Sequence, residues 1–203
     1  MLQSLGGAPT SKKDNGKDHY TLPAIHDSST GKVITDSYNI AVYLDEVYPD
    51  KPALFPFSTK AAIATLDYLF MTTAGTPLSS LMLPSSCLSL NPRSEEYFRK
   101  TREESYKKKL EEFSPAGPVR EKFWSEVEQV FTHLAHIYDR NGADKPFFLG
   151  DTFSYAECII AGFLMWIKII LGKDNEEWKA VESWDNGRWG QLLERLAELV
   201  VVV

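Results

Sequence analysis

Cysteine is almost absent from this chain. Its 203 residues hold two, Cys87 and Cys158, far apart and outside any Cys-x-x-Cys spacing. That pattern indicates neither a disulfide framework nor a zinc knuckle, and it fits a reducing, cytoplasmic setting. Positive charge is also short: 22 Lys and Arg stand against 28 Asp and Glu, for a formal charge of −6. The overall basic footprint that draws nucleic acid is missing. Long apolar runs are missing too. The longest, residues 158–171, is shorter than a bilayer span and contains Lys168, so it reads as a buried helix and no membrane partner is expected. Residues 1–14 lack the continuous apolar stretch of a signal peptide.

What is present is 43% apolar and 12% aromatic, enough for a substantial core in one domain or two small ones. Residues 1–18 carry Gly6, Gly7, Pro9 and Gly16, too dense a spacing for a long helix, and read as irregular. Residues 20–26 and 32–35 are short apolar segments joined by Asp27-Ser-Ser-Thr-Gly31, which predicts a hairpin with Gly31 free to adopt positive φ. From Asp36 the period becomes helical, with Ile40, Tyr43, Leu44 and Val47 on one stripe ending before Pro49. Residues 51–57, with two prolines, read as a linker. Helices are predicted over 58–83, 94–113, about 119–138, the segment from Ser154, and 176–203, with Phe123, Val127, Val130, Phe131, Leu134 and Ile137 inward on the third. The spacing of Ser154 and Glu157 is a capping box. The helix it starts is apolar nearly all round and is expected to be covered by the others. Trp178, Trp184, Trp189, Leu192, Leu193 and Leu196 supply further core. The closing run of four valines has no physical explanation in the sequence.

Several motifs carry two readings. Pro23, near the start of an apolar strand, belongs at an edge, a bulge or a cis bond, and the last would expose the backbone of Leu22 to a bound peptide. Asp36 and Ser37 suit a helix cap. The same helix start can hold a carboxylate through free N–H groups and a hydroxyl while Asp36 receives an ammonium, a set that suits an amino-acid moiety. The run Ser29-Thr-Gly-Lys32 lacks the first glycine of a phosphate loop and reads as the hairpin turn. His133, His136 and Asp139 share a helical face, but a metal needs further ligands and the better reading is an exposed face. Lys107 to Lys109 lie among Glu103, Glu104, Glu111 and Glu112 and read as solvated. No catalytic triad or dyad is defensible from spacing.

The run "YTLPAI…DSYNIAVYLDEVYP…LFP" resembles the second half of the glutathione-binding domain of a glutathione transferase, and "FFLGDTFSYAECIIAG" resembles that family's capping-box motif. "DHYTLPAI", "PRSEEYFRKTREE" and "WKAVESWDNGRW" resemble the fungal etherase-like (FuA) transferases. The resemblance implies an α+β, mostly α chain: a truncated thioredoxin-like hairpin and helix (1–50), a linker (51–57) and an all-helical C-terminal domain (58–203). It implies glutathione as co-substrate, with Leu22 and Pro23 at its cysteinyl part, Asp36 and Ser37 at its γ-glutamyl end and His19 and Tyr20 at its glycine end. Ser154 and Glu157 are structural, and no metal is implied. The activity implied is conjugation of glutathione to, or cleavage with glutathione of, aromatic or phenolic electrophiles, a detoxifying role, by a homodimer. The family's first β-α-β unit, which bears the catalytic hydroxyl, has no counterpart in the matching residues, so no catalytic residue is expected here and turnover is expected to be weak. The alternative is a non-catalytic binding protein for phenolic or other apolar ligands.

Overall fold

The computed structural model describes residues 2–13 and 15–198, and the valine run at the end lies outside them. Two compact units emerge, Met1–Ala64 and Thr65–Val203.

The first unit opens with a 3-10 turn, Gln3–Leu5, followed by a hairpin of β1 (Ser11–Lys12) and β2 (Asp18–His19). This corrects the irregular reading of residues 1–18. Gly16 at φ 77° turns the chain back, and an ion pair between Lys12 and Asp18 closes the pair, a contact across the strands that no local apolar period announces. The second hairpin joins β3 (Ala24–Asp27) to β4 (Lys32–Thr35), antiparallel, with Ile25 opposite Ile34. Its turn is residues 28–31, with Gly31 at φ 69° as expected, and Lys32 opens β4 opposite Asp27. The strand begins at Ala24 and not Tyr20, because Pro23 has no N–H to give a ladder.

Helix α1 (Ser37–Val47) follows at once, with Asp36 as N-cap accepting from the Asn39 N–H at 3.0 Å. The stripe Ile40, Tyr43, Leu44 and Val47 is half-buried and Ala41 is fully so. The carboxylate of Asp45 then accepts the N–H groups of Leu54 and Phe55, both at 2.8 Å. These bonds fold the proline-containing segment back on α1, where Phe55 is buried edge-on to Tyr38 at 5.2 Å.

The second unit is helical: the remainder of α2 (Lys60–Leu88), α3 (Pro92–Tyr106), α4 (Pro118–Tyr138), α5 (Tyr155–Leu171) and α6 (Glu176–Arg195). Helix α2 continues past Pro84, beyond its expected end. A proline in a helix interior costs roughly 3 kcal/mol, but Leu81, Met82 and Cys87 are all fully buried, and their burial holds the last turns in place.

Helix α3 stops at Tyr106, short of the expected 113. Lys107 turns left-handed at φ 55°, and the Glu103 carboxylate takes the amide of Leu110 at 3.2 Å, so that Leu110 and Phe113 pack beside Cys87 from a separate short turn. On α4 the inward stripe passes through Tyr138 and leaves Ile137 45% exposed. The tyrosine can go in because its hydroxyl finds an acceptor at Glu157, 3.1 Å away.

Helix α5 has the expected capping box. Its cover is incomplete: Cys158, Gly162 and Ile169 are exposed along one stripe. Helix α6 packs on both α4 and α5 and breaks at Asp185, Asn186 and Gly187, all at positive φ. Trp184 and Trp189 would lie about 140° apart around a regular helix. The break, fixed by the Trp189 Nε1–H bond to Asp185 at 2.7 Å, lets both rings reach Phe131. Trp178, Leu192, Leu193 and Leu196 are buried as expected.

Candidate functional site

The residues singled out around the second hairpin belong to the first unit. The Leu22–Pro23 peptide bond is cis. Leu22 is 78% exposed, and its main chain takes no hydrogen bond among the described residues. The carbonyl of Pro23 receives the Asp36 N–H at 3.3 Å, which ties the proline turn to the start of α1. Asp36 sits at φ 75°, ψ 129°, a conformation that costs a non-glycine residue of order 1–3 kcal/mol and that clusters at binding sites.

The geometry of that helix start is specific. Oδ1 of Asp36 caps Asn39, Oδ2 takes no hydrogen bond among the described residues, and Ser37 follows as the exposed first helical residue. The Ser37 amide has no intrahelical acceptor at that position. A carboxylate oxygen without an internal partner, a hydroxyl and an N–H thus stand within two residues, and the Asp36 to Pro23 bond ties them to the exposed Leu22.

His19 and Tyr20 are half-buried at the end of β2. The ring Nδ1 of His19 lies 3.1 Å from Ser11 Oγ, and its carbonyl accepts from both the N–H and the hydroxyl of Thr10, at 2.9 and 3.1 Å. Beside Asp36 lies a half-open cleft of about 360 Å³, lined by Ala8, Pro9, Thr10, residues 33–36 and Asn39. Of the six residues assigned to glutathione, only Asp36 lines it. Pro23 is joined to Asp36 by a hydrogen bond, and His19 reaches the cleft only by holding Thr10. Thr10 and Asn39 carried no signal in the sequence beyond their types.

Under this site a second cluster fixes the hairpin to α1. The Asp27 carboxylate accepts from the Tyr43 hydroxyl at 2.6 Å, the Tyr48 hydroxyl at 2.8 Å, and the N–H and hydroxyl of Ser29 at 2.8 and 2.7 Å. The Ser29 hydroxyl, then those of Tyr43 and Tyr48, hold the carboxyl well below the usual carboxylate range. A carboxylate depressed in the folded state contributes stability above its unfolded value, near 3.8, and loses it as pH falls through the folded one. Acid titration is therefore expected to loosen the first unit only below about pH 4. Asp27→Asn should flatten that acid limb in a circular-dichroism pH series; a limb identical to wild type would refute the role given to Asp27.

Elsewhere, His133 and His136 are exposed on α4. Among the described residues no group of three or more His, Cys, Asp or Glu side chains is placed to hold a metal ion. No described helix is long and apolar enough to cross a membrane.

Residues 61–199 match the family model of the glutathione S-transferase C-terminal domain. The glutathione S-transferase-like protein ustS of Aspergillus flavus is 32% identical over 203 residues, covering 95% of this chain and 71% of that protein. The crystal structure of CsGST63524, a glutathione S-transferase of Ceriporiopsis subvermispora in complex with glutathione, is similar with a TM-score of 0.94 at 43% identity, covering 100% of this chain and 80% of that one. That of glutathione transferase GSTFuA3 from Phanerochaete chrysosporium is similar with a TM-score of 0.93 at 34% identity, covering 100% and 79%.

Proposed function

The chain belongs to the glutathione transferase family and resembles its fungal etherase-like (FuA) class, and on that premise we propose that it binds glutathione at the start of α1 for attack of the thiolate on aromatic or phenolic electrophiles. The observation that carries the reading is the hydrogen bond from the Asp36 N–H to the Pro23 carbonyl, which joins the two halves of the site. In this reading the exposed backbone of Leu22 pairs with the cysteinyl residue as an added strand would. Oδ2 of Asp36 receives the α-ammonium, and the hydroxyl and N–H of Ser37 receive the α-carboxylate. His19 and Tyr20 stand toward the glycine end. The reaction forms a bond from sulfur to the electrophilic carbon. The leaving group departs with the electron pair of the broken bond, as phenolate when an aryl ether is cleaved.

Calorimetric titration with glutathione tests the binding. Asp36→Asn keeps a good cap but removes the charge, so the melting temperature should hold while affinity falls about 10- to 100-fold, the value of a charge-assisted hydrogen bond. Ser37→Ala should cost about 5-fold, a neutral bond. Wild-type affinity in Asp36→Asn would refute the assignment. Binding of a phenolic ligand with no response to glutathione would favour the alternative, an apolar-ligand binding protein.

A further inference from the structure

Helix α2 carries two prolines, and each removes the N–H that the carbonyl four residues earlier would accept. Pro77 takes the donor from Thr73, an exposed residue. Pro84 takes it from Ser80, which is only 8% exposed. A buried carbonyl without a donor costs about as much as a lost hydrogen bond. The donor comes from outside the helix. In the segment ahead of α4 the hydroxyl of Ser114, a residue 9% exposed, donates to the Ser80 carbonyl at 2.8 Å.

A third residue sets the direction of that bond. Nη1 of Arg120, in the first turn of α4, donates to Ser114 Oγ at 3.1 Å, and Gly117 at φ 98° turns the chain between the two. A guanidinium only donates and a serine hydroxyl has a single proton, so the Ser114 proton is left for Ser80. Arg120 is itself clamped. Its Nε and Nη2 donate to Oε1 and Oε2 of Glu177 at 2.5 and 2.6 Å, a bidentate pair in the first turn of α6. We propose that residues 114–120 are a strap built into the helical unit: Ser114 supplies the hydrogen bond that Pro84 denies to α2, Arg120 is the positioning residue that aims the hydroxyl, and Glu177 anchors the strap to α6. The turn of α2 at Pro84 is closed only while the strap is engaged. Nothing in this depends on the glutathione reading above.

The test is a set of double-mutant cycles on the full chain, followed by thermal melts. Ser114→Ala is expected to lower the melting temperature by about 4–8 °C, the effect of leaving one buried acceptor unmet in a chain of this size. Pro84→Ala returns a main-chain N–H to the Ser80 carbonyl, so in that background Ser114→Ala should cost less than about half as much. Arg120 acts on Ser80 only through Ser114, and Arg120→Met should likewise cost less beside Pro84→Ala. Should Ser114→Ala fail to fold, its combination with Pro84→Ala is expected to fold. In that combined variant the amide of residue 84 should be protected from hydrogen exchange. A fall for Ser114→Ala that is equal in both backgrounds, an unfolded combined variant or an unprotected amide at residue 84 overturns the strap. An Arg120→Met loss that ignores residue 84 overturns the positioning role of Arg120.

Discussion

Replacing Glu157 with alanine is expected to destabilise the helical unit by about 4 kcal/mol, the upper range for stripping buried polar groups of their partner. Glu157 is fully buried, and four donors converge on it. Its Oε1 accepts from the Phe148 N–H at 2.7 Å and the Tyr138 hydroxyl at 3.1 Å, and its Oε2 from the N–H and hydroxyl of Ser154, both at 2.9 Å. Alanine leaves all four facing a void. For a unit of this size the melting temperature should fall by roughly 8–16 °C, at 2–4 °C per kcal/mol. A fall under about 2 °C would show that the network is dispensable.

The pH dependence follows from the same burial. Desolvation pushes the Glu157 carboxyl above the ordinary value of 4.5, against the pull of the Phe148, Ser154 and Tyr138 donors. An acid raised in the folded state contributes stability that is full below its unfolded value and declines as pH rises through the folded one. The alanine variant should lose that decline, which sets in as pH rises past the ordinary value of 4.5. The sign is opposite to that of Asp27, whose contribution fades on acidification, so a pH series followed in each unit separates the two carboxylates.

The second large effect is expected at Phe131. Its ring is fully buried and sits 5.8 Å from Phe70, 5.8 Å from Trp184 and 5.0 Å from Trp189, at interplanar angles of 85°, 46° and 74°. Phe131→Ala removes the centre of this cluster and is expected to cost about 3–5 kcal/mol, the range for deleting a buried aromatic ring. The edge-on contacts to Phe70 and Trp189 add to that loss. Thermal melts followed by near-ultraviolet circular dichroism should show the transition shifted down, with the tryptophan bands of Trp184 and Trp189 weakened before it. Phe131→Leu, which keeps most of the volume, should cost under about 2 kcal/mol. Equal losses in the two variants would show that ring geometry, and not filled volume, is what the cluster needs.

Local chemistry in the sequence was sufficient for everything decided within a few residues. The Ser154 and Glu157 spacing determines the start of α5, and the change from period 2 to period 3.6 at Asp36 determines where strand gives way to helix, because caps and amphipathic stripes act over one or two turns. Residues 22, 23, 36 and 37 were legible as a candidate site for the same reason, helped by the resemblance. The tertiary structure decided what depends on partners distant in sequence. Helix α2 runs through Pro84 because Cys87 is buried beyond it; α3 ends at Tyr106 because Glu103 captures the Leu110 amide; α6 breaks at Asp185 because two tryptophans must reach one phenylalanine. Asn39 is the clearest case at the site. In the sequence it is one more polar residue on a helix, and only the fold sets it in the wall of one cleft with Ala8, Pro9 and Thr10, some thirty residues away in the chain. Propensity and capping are written locally, whereas burial and the hydrogen-bond partners that lie far away in the chain belong to the folded surroundings.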